Sequence, residues 1–101
     1  MSNLEKDTYQ LIDQILSSPL VEKYLKAKDF YNKDPYLNKL REEIKQGKKN
    51  LPNFSNEELT KEINRIKELE KKVDDNYITI TYFNLKNQIE DLIQPIKDLF
   101  R

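Results

Sequence analysis

Two pairs of neighbouring carboxylates are the residues of this sequence best suited to acid–base chemistry. Asp74 and Asp75 form one pair, and Glu57 and Glu58 form the other. Two acids held close together can separate their pKa values and share the roles of general acid and general base. Both pairs, however, stand where we expect a helix to begin, and acids there cap the helix and face the positive end of its dipole. We therefore interpret both pairs as helix-start residues.

The composition excludes most other catalytic and metal chemistry. The 101 residues contain no Cys and no His, so disulfides, thiol nucleophiles and the commonest general base and metal ligands are absent. The acids lack the spacing of a calcium-binding loop, and a single Gly cannot build a glycine-rich phosphate loop. The sequence predicts no enzymatic activity, no cofactor and no metal site.

A basic face on the third predicted helix suggests a different function. It lies near Tyr36, and cations beside an aromatic ring are how single-stranded nucleic acids are held. Glu42 and Glu43 interrupt this face, and 18 basic residues against 18 acidic ones leave no net charge. Nucleic-acid binding is therefore the alternative hypothesis. It depends on Lys39, Arg41, Lys45, Lys48 and Lys49.

Helices must position all of these residues. One Gly and four Pro leave little material for tight turns, so we expect a single all-α domain, residues 1–101, with five helices. Polar residues before a proline mark two helix starts, and a serine with a glutamate three residues later marks another. The predicted helices begin near Leu4, at Pro19, at Pro35, after Ser55 and at Tyr77, and the last one runs to about Phe100 with Pro95 inside it.

Residues 76–83 alternate apolar and polar side chains, as a strand would. We interpret them as helix because no other segment offers a partner strand, and because a heptad pattern continues through them to the end of the chain. A thin core, with 37% hydrophobic against 36% charged residues, suggests that a second copy completes this seam. The sequence therefore predicts a homodimer whose interface is Ile78, Tyr82, Leu85, Ile89, Leu92 and Ile96.

Aromatic residues away from the apolar stripes are candidates for binding a protein partner. Phe30 lies off the stripe of the second helix, and Phe83 lies off the heptad seam. Exposed aromatic side chains are common anchors of protein interfaces. The predicted partner-binding residues are Phe30, Tyr31, Tyr36 and Phe83.

The only glycine, Gly47, falls on the apolar seam of the third helix. It could allow a close backbone approach or a hinge, or it could mark a weak helix end before Leu51 and Pro52. Of these readings we favour the weak helix end.

Two parts of the sequence resemble the YlbF/YmcA family of small bacterial helical proteins. The first runs from Leu16 to Tyr24 and continues ten residues later at Asp34-Pro35-Tyr36-Leu37. The second comprises Phe83 to Ile89 and Ile93-Gln94-Pro95-Ile96, which are similar to the long final helix of short family members. The resemblance implies an all-α, intertwined oligomer and a helix at residues 77–83.

The resemblance also implies a function. Family members are non-enzymatic regulatory accessory proteins linked to competence, sporulation, biofilm formation and control of an endoribonuclease that processes mRNA. Some carry cysteines implicated in iron–sulfur binding, a property that this cysteine-free sequence does not share. We therefore expect an adaptor that acts through protein–protein contacts. With no span of about 20 apolar residues and no signal-like N-terminus, we expect it in the cytoplasm, away from the membrane.

Overall fold

The computed structural model describes residues 3–99, and within that range it contains helices and no strand. The all-α prediction is confirmed, including a helix at residues 77–83. The end of the last helix predicted at Phe100 lies outside the described residues. The elements are α1 (Asn3–Leu16), α2 (Pro19–Lys33), α3 (Pro35–Asn50), a 3₁₀ turn (Leu51–Asn53), α4 (Asn56–Asp74) and α5 (Tyr77–Leu99).

Side-chain caps explain why most of the helices begin where they do. Each cap accepts a hydrogen bond from a backbone N–H in the first turn, which would otherwise lack a partner. The capping oxygens are Ser18 Oγ for Leu20 (3.2 Å), Asp34 Oδ2 for Leu37 (2.9 Å) and Asn76 Oδ1 for Ile78 (2.9 Å). Ser55 is the exception, because it occupies the N-cap of α4 without a side-chain cap bond. The capping box predicted there is wrong.

The connections between helices are short and use ordinary backbone conformations. Ser17 and Ser18 join α1 to α2, and Asp34 alone joins α2 to α3. No residue in the described range has a positive φ. The chain therefore turns at capping residues and prolines, without a left-handed glycine.

The chain divides into two compact units. The central unit is Phe30–Ile80, and the terminal unit combines Met1–Asp29 with Thr81–Arg101. Helices α2 and α5 each contribute residues to both units. The single domain expected from the sequence stays a prediction.

The central unit has a hydrophobic core between α3 and α4. Leu37, which has no exposed surface, packs there with Leu40, Leu69 and Val73. Partly buried apolar side chains lie against this cluster, namely Tyr31, Ile44 and Ile78. On the surface, Lys48 Nζ of α3 lies 3.4 Å from Glu70 Oε1 of α4. Apolar burial therefore holds these two helices together.

Gly47 lies on the side of α3 that faces α4. A Cβ at this position would lie 3.0 Å from Ile66 Cγ1 and 3.2 Å from Arg65 Nη2. α3 ends at Asn50, directly before Leu51 and Pro52 as the favoured interpretation expects, and Gly47 itself is still helical. The atoms that approach Gly47 belong to α4 side chains, so the close backbone approach and the hinge both stay predictions. A side chain here would require the side chains of Ile66 and Arg65 to shift.

The terminal unit is more sparsely packed. Its buried side chains are Ile15, Ala27 and Tyr82. The Tyr82 ring stacks on Tyr24 with 5.8 Å between centroids and meets Phe83 edge-on at 5.1 Å. Large apolar side chains remain exposed on every helix of the unit: Leu4, Tyr9, Leu16, Leu25, Phe83, Leu92 and Leu99.

Candidate interaction surface

The two carboxylate pairs do not form a cluster. Glu57 and Glu58 lie exposed in the first turn of α4, as expected for acids at a helix start. Asp74 is instead the last residue of α4 and Asp75 is its C-cap, so the predicted place of this pair at a helix start is wrong. Within residues 3–99, no three acidic side chains are arranged to hold a metal ion.

The basic face of α3 is reduced by contacts within the central unit. Arg41 donates to the Tyr31 carbonyl (2.8 Å) and to Asn38 Oδ1 (2.8 Å), and its guanidinium lies 4.1 Å from the centre of the Tyr31 ring. Lys48 pairs with Glu70. Two of the five predicted nucleic-acid contacts therefore already have partners in the protein. The exposed lysines Lys39, Lys45 and Lys49 remain.

The four predicted partner-binding aromatics do not share one surface. Phe30 and Tyr36 belong to the central unit and are 67% and 52% exposed, whereas Phe83 belongs to the terminal unit. Tyr31 is half-buried beneath Arg41 and packs on the core. Phe30 and Tyr36 are thus the aromatic side chains that the central unit leaves most available among the four.

The predicted oligomer seam is largely covered within a single chain. Ile78 packs against the central core, and Tyr82 is buried in the terminal unit. Further along α5, Leu85, Ile89 and Ile96 are half-buried, and Leu92 is 36% exposed. The seam's role between two copies stays a prediction. The burial of these side chains shows that the apolar stripe of α5 also packs within one chain.

An exposed apolar surface on α1 was not predicted from the sequence. A cleft of about 270 Å³ lies there within the terminal unit. Its lining is mostly apolar and consists of Leu4, Glu5, Thr8, Tyr9, Ile12 and Leu99. The apolar residues of α1 extend from Leu11 around to Tyr9, but the sequence does not tell which part of this arc the chain itself covers.

One ion pair on α4 perturbs the titration of its members. Arg65 Nε donates to both carboxylate oxygens of Glu62, at 3.0 and 3.1 Å. This hydrogen bonding lowers the pKa of Glu62 below its ordinary value of 4.5. The same bond from Glu62 raises the pKa of Arg65. The pair lies beside Gly47, where Arg65 crosses the surface of α3.

None of the described helices combines the length and apolar character needed to cross a bilayer. The structure thus defines a class: a small all-α protein whose most prominent surface features, in residues 3–99, are uncovered apolar side chains and mixed charge. A family model described as control of competence regulator ComK, YlbF/YmcA, matches residues 4–100.

The chain belongs to the YlbF/YmcA family, as its sequence resemblance predicts. By its description, the family has a regulatory role in the control of the competence regulator ComK. Searches of curated proteins and of solved structures give no match.

Proposed function

We propose that this protein is a non-enzymatic, homodimeric adaptor of the cytoplasm that contributes to the control of ComK through protein–protein contacts. The proposal joins the regulatory role of the family to the distribution of apolar surface in the chain. Endoribonuclease-dependent mRNA processing, which the family resemblance implies, is one route by which such an adaptor would act.

The observation that carries the dimer is the uncovered apolar surface of the terminal unit. Seven large apolar side chains are exposed there, from 36% at Leu92 to 67% at Leu16. These seven side chains belong to all three helices of the unit, and a standard complex buries ~800 Å² of surface on each partner. A second copy would remove this surface from water.

The central unit provides the surface for a different protein. It has its own core, and Phe30 and Tyr36 remain exposed outside it. Aromatic anchors of this kind contribute much of the binding energy at protein interfaces. We assign the regulatory partner to this surface and the second copy to the terminal unit.

The dimer is tested by light scattering on the purified protein at micromolar concentration. We expect twice the mass of one chain. A protein that stays monomeric across this range would overturn the homodimer.

The partner surface is tested in cells that lack the protein, by measuring the level of ComK after complementation. We expect the wild-type chain to restore that level, and the double variant Phe30→Asp, Tyr36→Asp to fail while remaining dimeric. Tyr77→Asp is the matched control, because Tyr77 is an exposed aromatic of the same unit. Full complementation by the double variant would exclude this surface.

Nucleic-acid binding is the second candidate, and the contacts of Arg41 and Lys48 count against it. We expect no binding of single-stranded RNA that weakens steeply with salt. A steep salt dependence that disappears in the variant Lys45→Glu, Lys49→Glu would instead favour this function.

A further inference from the structure

We propose that a second copy of this chain docks on the exposed face of α1, with the two α1 helices antiparallel. This contact deepens the homodimer proposed above and rests on it. It also places the centre of the dimer on α1, away from the α5 seam that the sequence favours.

The apolar part of this face runs along one side of α1. Tyr9, Ile12 and Leu16 follow one another at steps of three and four residues, so they lie in a line. Tyr9 is 57% exposed and Leu16 is 67% exposed, whereas Ile15, on the neighbouring face, is buried in the terminal unit. α1 thus packs on its own unit with one face and leaves a second apolar face uncovered.

The cleft extends this face at the N-terminal end of α1. Leu4 and Leu99 contribute exposed apolar surface to it beside Tyr9 and Ile12. In the described residues, no side chain fills the cleft, and its volume of about 270 Å³ accommodates one or two large side chains of a facing helix. Leu16 of the second copy reaches this end of α1 when the two helices run antiparallel.

Charges beside the apolar line select the antiparallel arrangement. Lys6 and Asp13 flank Tyr9 on one side, and because they are seven residues apart they lie on nearly the same face of the helix. Neither makes an ion pair within the described residues. In an antiparallel pair centred near Tyr9, Lys6 of each copy faces Asp13 of the other, and two-fold symmetry makes the contact twice.

A parallel pair would have the opposite electrostatics. It would bring Lys6 beside Lys6 and Asp13 beside Asp13, so like charges would meet at both ends of the contact. Glu5, at the N-terminal end of the face, lines the cleft and is exposed.

The charge contact is tested by exchanging the two charges, with the dimer dissociation constant measured by analytical ultracentrifugation at low salt. Lys6→Asp alone and Asp13→Lys alone each create two like-charge contacts, so each should raise the constant about tenfold. The double variant restores opposite charges and should return the constant to within about threefold of wild type. High salt should reduce both single effects.

The apolar contact is tested with a matched pair of tyrosine variants. Tyr9→Asp should raise the dissociation constant more than about a hundredfold, because it places a charge at the centre of a dry contact. Tyr36→Asp changes a similarly exposed tyrosine of the central unit and should leave the constant unchanged. Circular dichroism of both variants verifies that the helices are retained.

The outcomes separate this contact from the homodimer itself. A wild-type dimer whose affinity is unaffected by Tyr9→Asp and by both charge reversals would overturn the α1 contact and leave the homodimer standing. Single charge reversals that weaken the dimer without rescue in the double variant would overturn the antiparallel pairing. A monomeric wild-type protein would overturn the α1 contact and the homodimer together.

Discussion

The central and terminal units use similar helices with different results. In the central unit, α3 and α4 approach closely at Gly47 and bury Leu37 completely. In the terminal unit, Tyr82 is buried against the half-buried Tyr24, while large apolar side chains remain exposed on each helix. The difference shows that helices with similar apolar spacing bury a compact core in the central unit and bury only a few side chains in the terminal unit.

The largest effect should come from removing the side chain at the centre of the central core. Leu37→Ala removes fully buried methyl groups and should lower the free energy of unfolding by about 3–4 kcal/mol. Denaturant titrations of wild type and variant give this loss from the change in the unfolding midpoint. Leu25→Ala, at an exposed leucine of the terminal unit, is the control and should cost less than about 1 kcal/mol. Equal losses of unfolding free energy in the two variants would contradict the difference in packing between the two units.

A methyl group at the helix crossing should have the next largest effect. Gly47→Ala gains about 1 kcal/mol of helix propensity, but its Cβ would lie 3.0 Å from Ile66 Cγ1. Overpacking typically costs 1–3 kcal/mol, so we expect a net loss of about 1 kcal/mol in the free energy of unfolding. An exposed α3 residue gives the control, since Gln46→Ala should not destabilise the protein. A more stable Gly47→Ala variant would mean that the helices separate easily.

The tyrosine stack should contribute less to the free energy of unfolding, and its contribution should be confined to the terminal unit. Tyr24→Leu retains apolar bulk but removes the stack on Tyr82, which should cost about 1 kcal/mol. Hydrogen exchange should show the loss of protection in residues 81–90 of α5 and not in α3. Loss of protection along α3 would show that the two units unfold as one.

The smallest effect should be the pH dependence of the Glu62–Arg65 pair. The pKa of Glu62 is lowered in the folded protein, so the pair stabilises the fold above pH 4.5, and that contribution disappears as the pH falls through the lowered value. Glu62→Gln removes it at every pH. The stability difference between wild type and variant should therefore be constant near neutrality and shrink below pH 4.5. A difference that grows in acid would contradict the direction of the pKa shift.

Local signals in the sequence were sufficient to predict the helices. Ser18 and Asp34, the polar residues that precede two prolines, cap helices as the sequence predicts. The alternating residues 76–83 also resolve correctly, since a strand without a partner would leave its backbone groups unpaired. These features depend on residues within one or two turns of each other, which is why the sequence reveals them.

Features that depend on distant residues were harder to predict. The role of Gly47 depends on Ile66, which belongs to another helix. The heptad of α5 identified an apolar stripe but not what covers it, and Ile78 and Tyr82 proved to be packed in different units. The exposed face of α1 was missed because the width of an apolar arc does not tell how much of it the chain itself covers.

The continuity of the central unit along the chain has a consequence for the order of folding. Phe30–Ile80 is one unbroken stretch, so its core contacts close loops of modest length. The terminal unit brings together segments from both sides of that stretch, and its closure entropy is larger. Because rates fall as contacts become more distant in sequence, we expect α3 and α4 to pair in the first kinetic phase. The terminal unit, which needs both ends of the chain, would then form in a later phase.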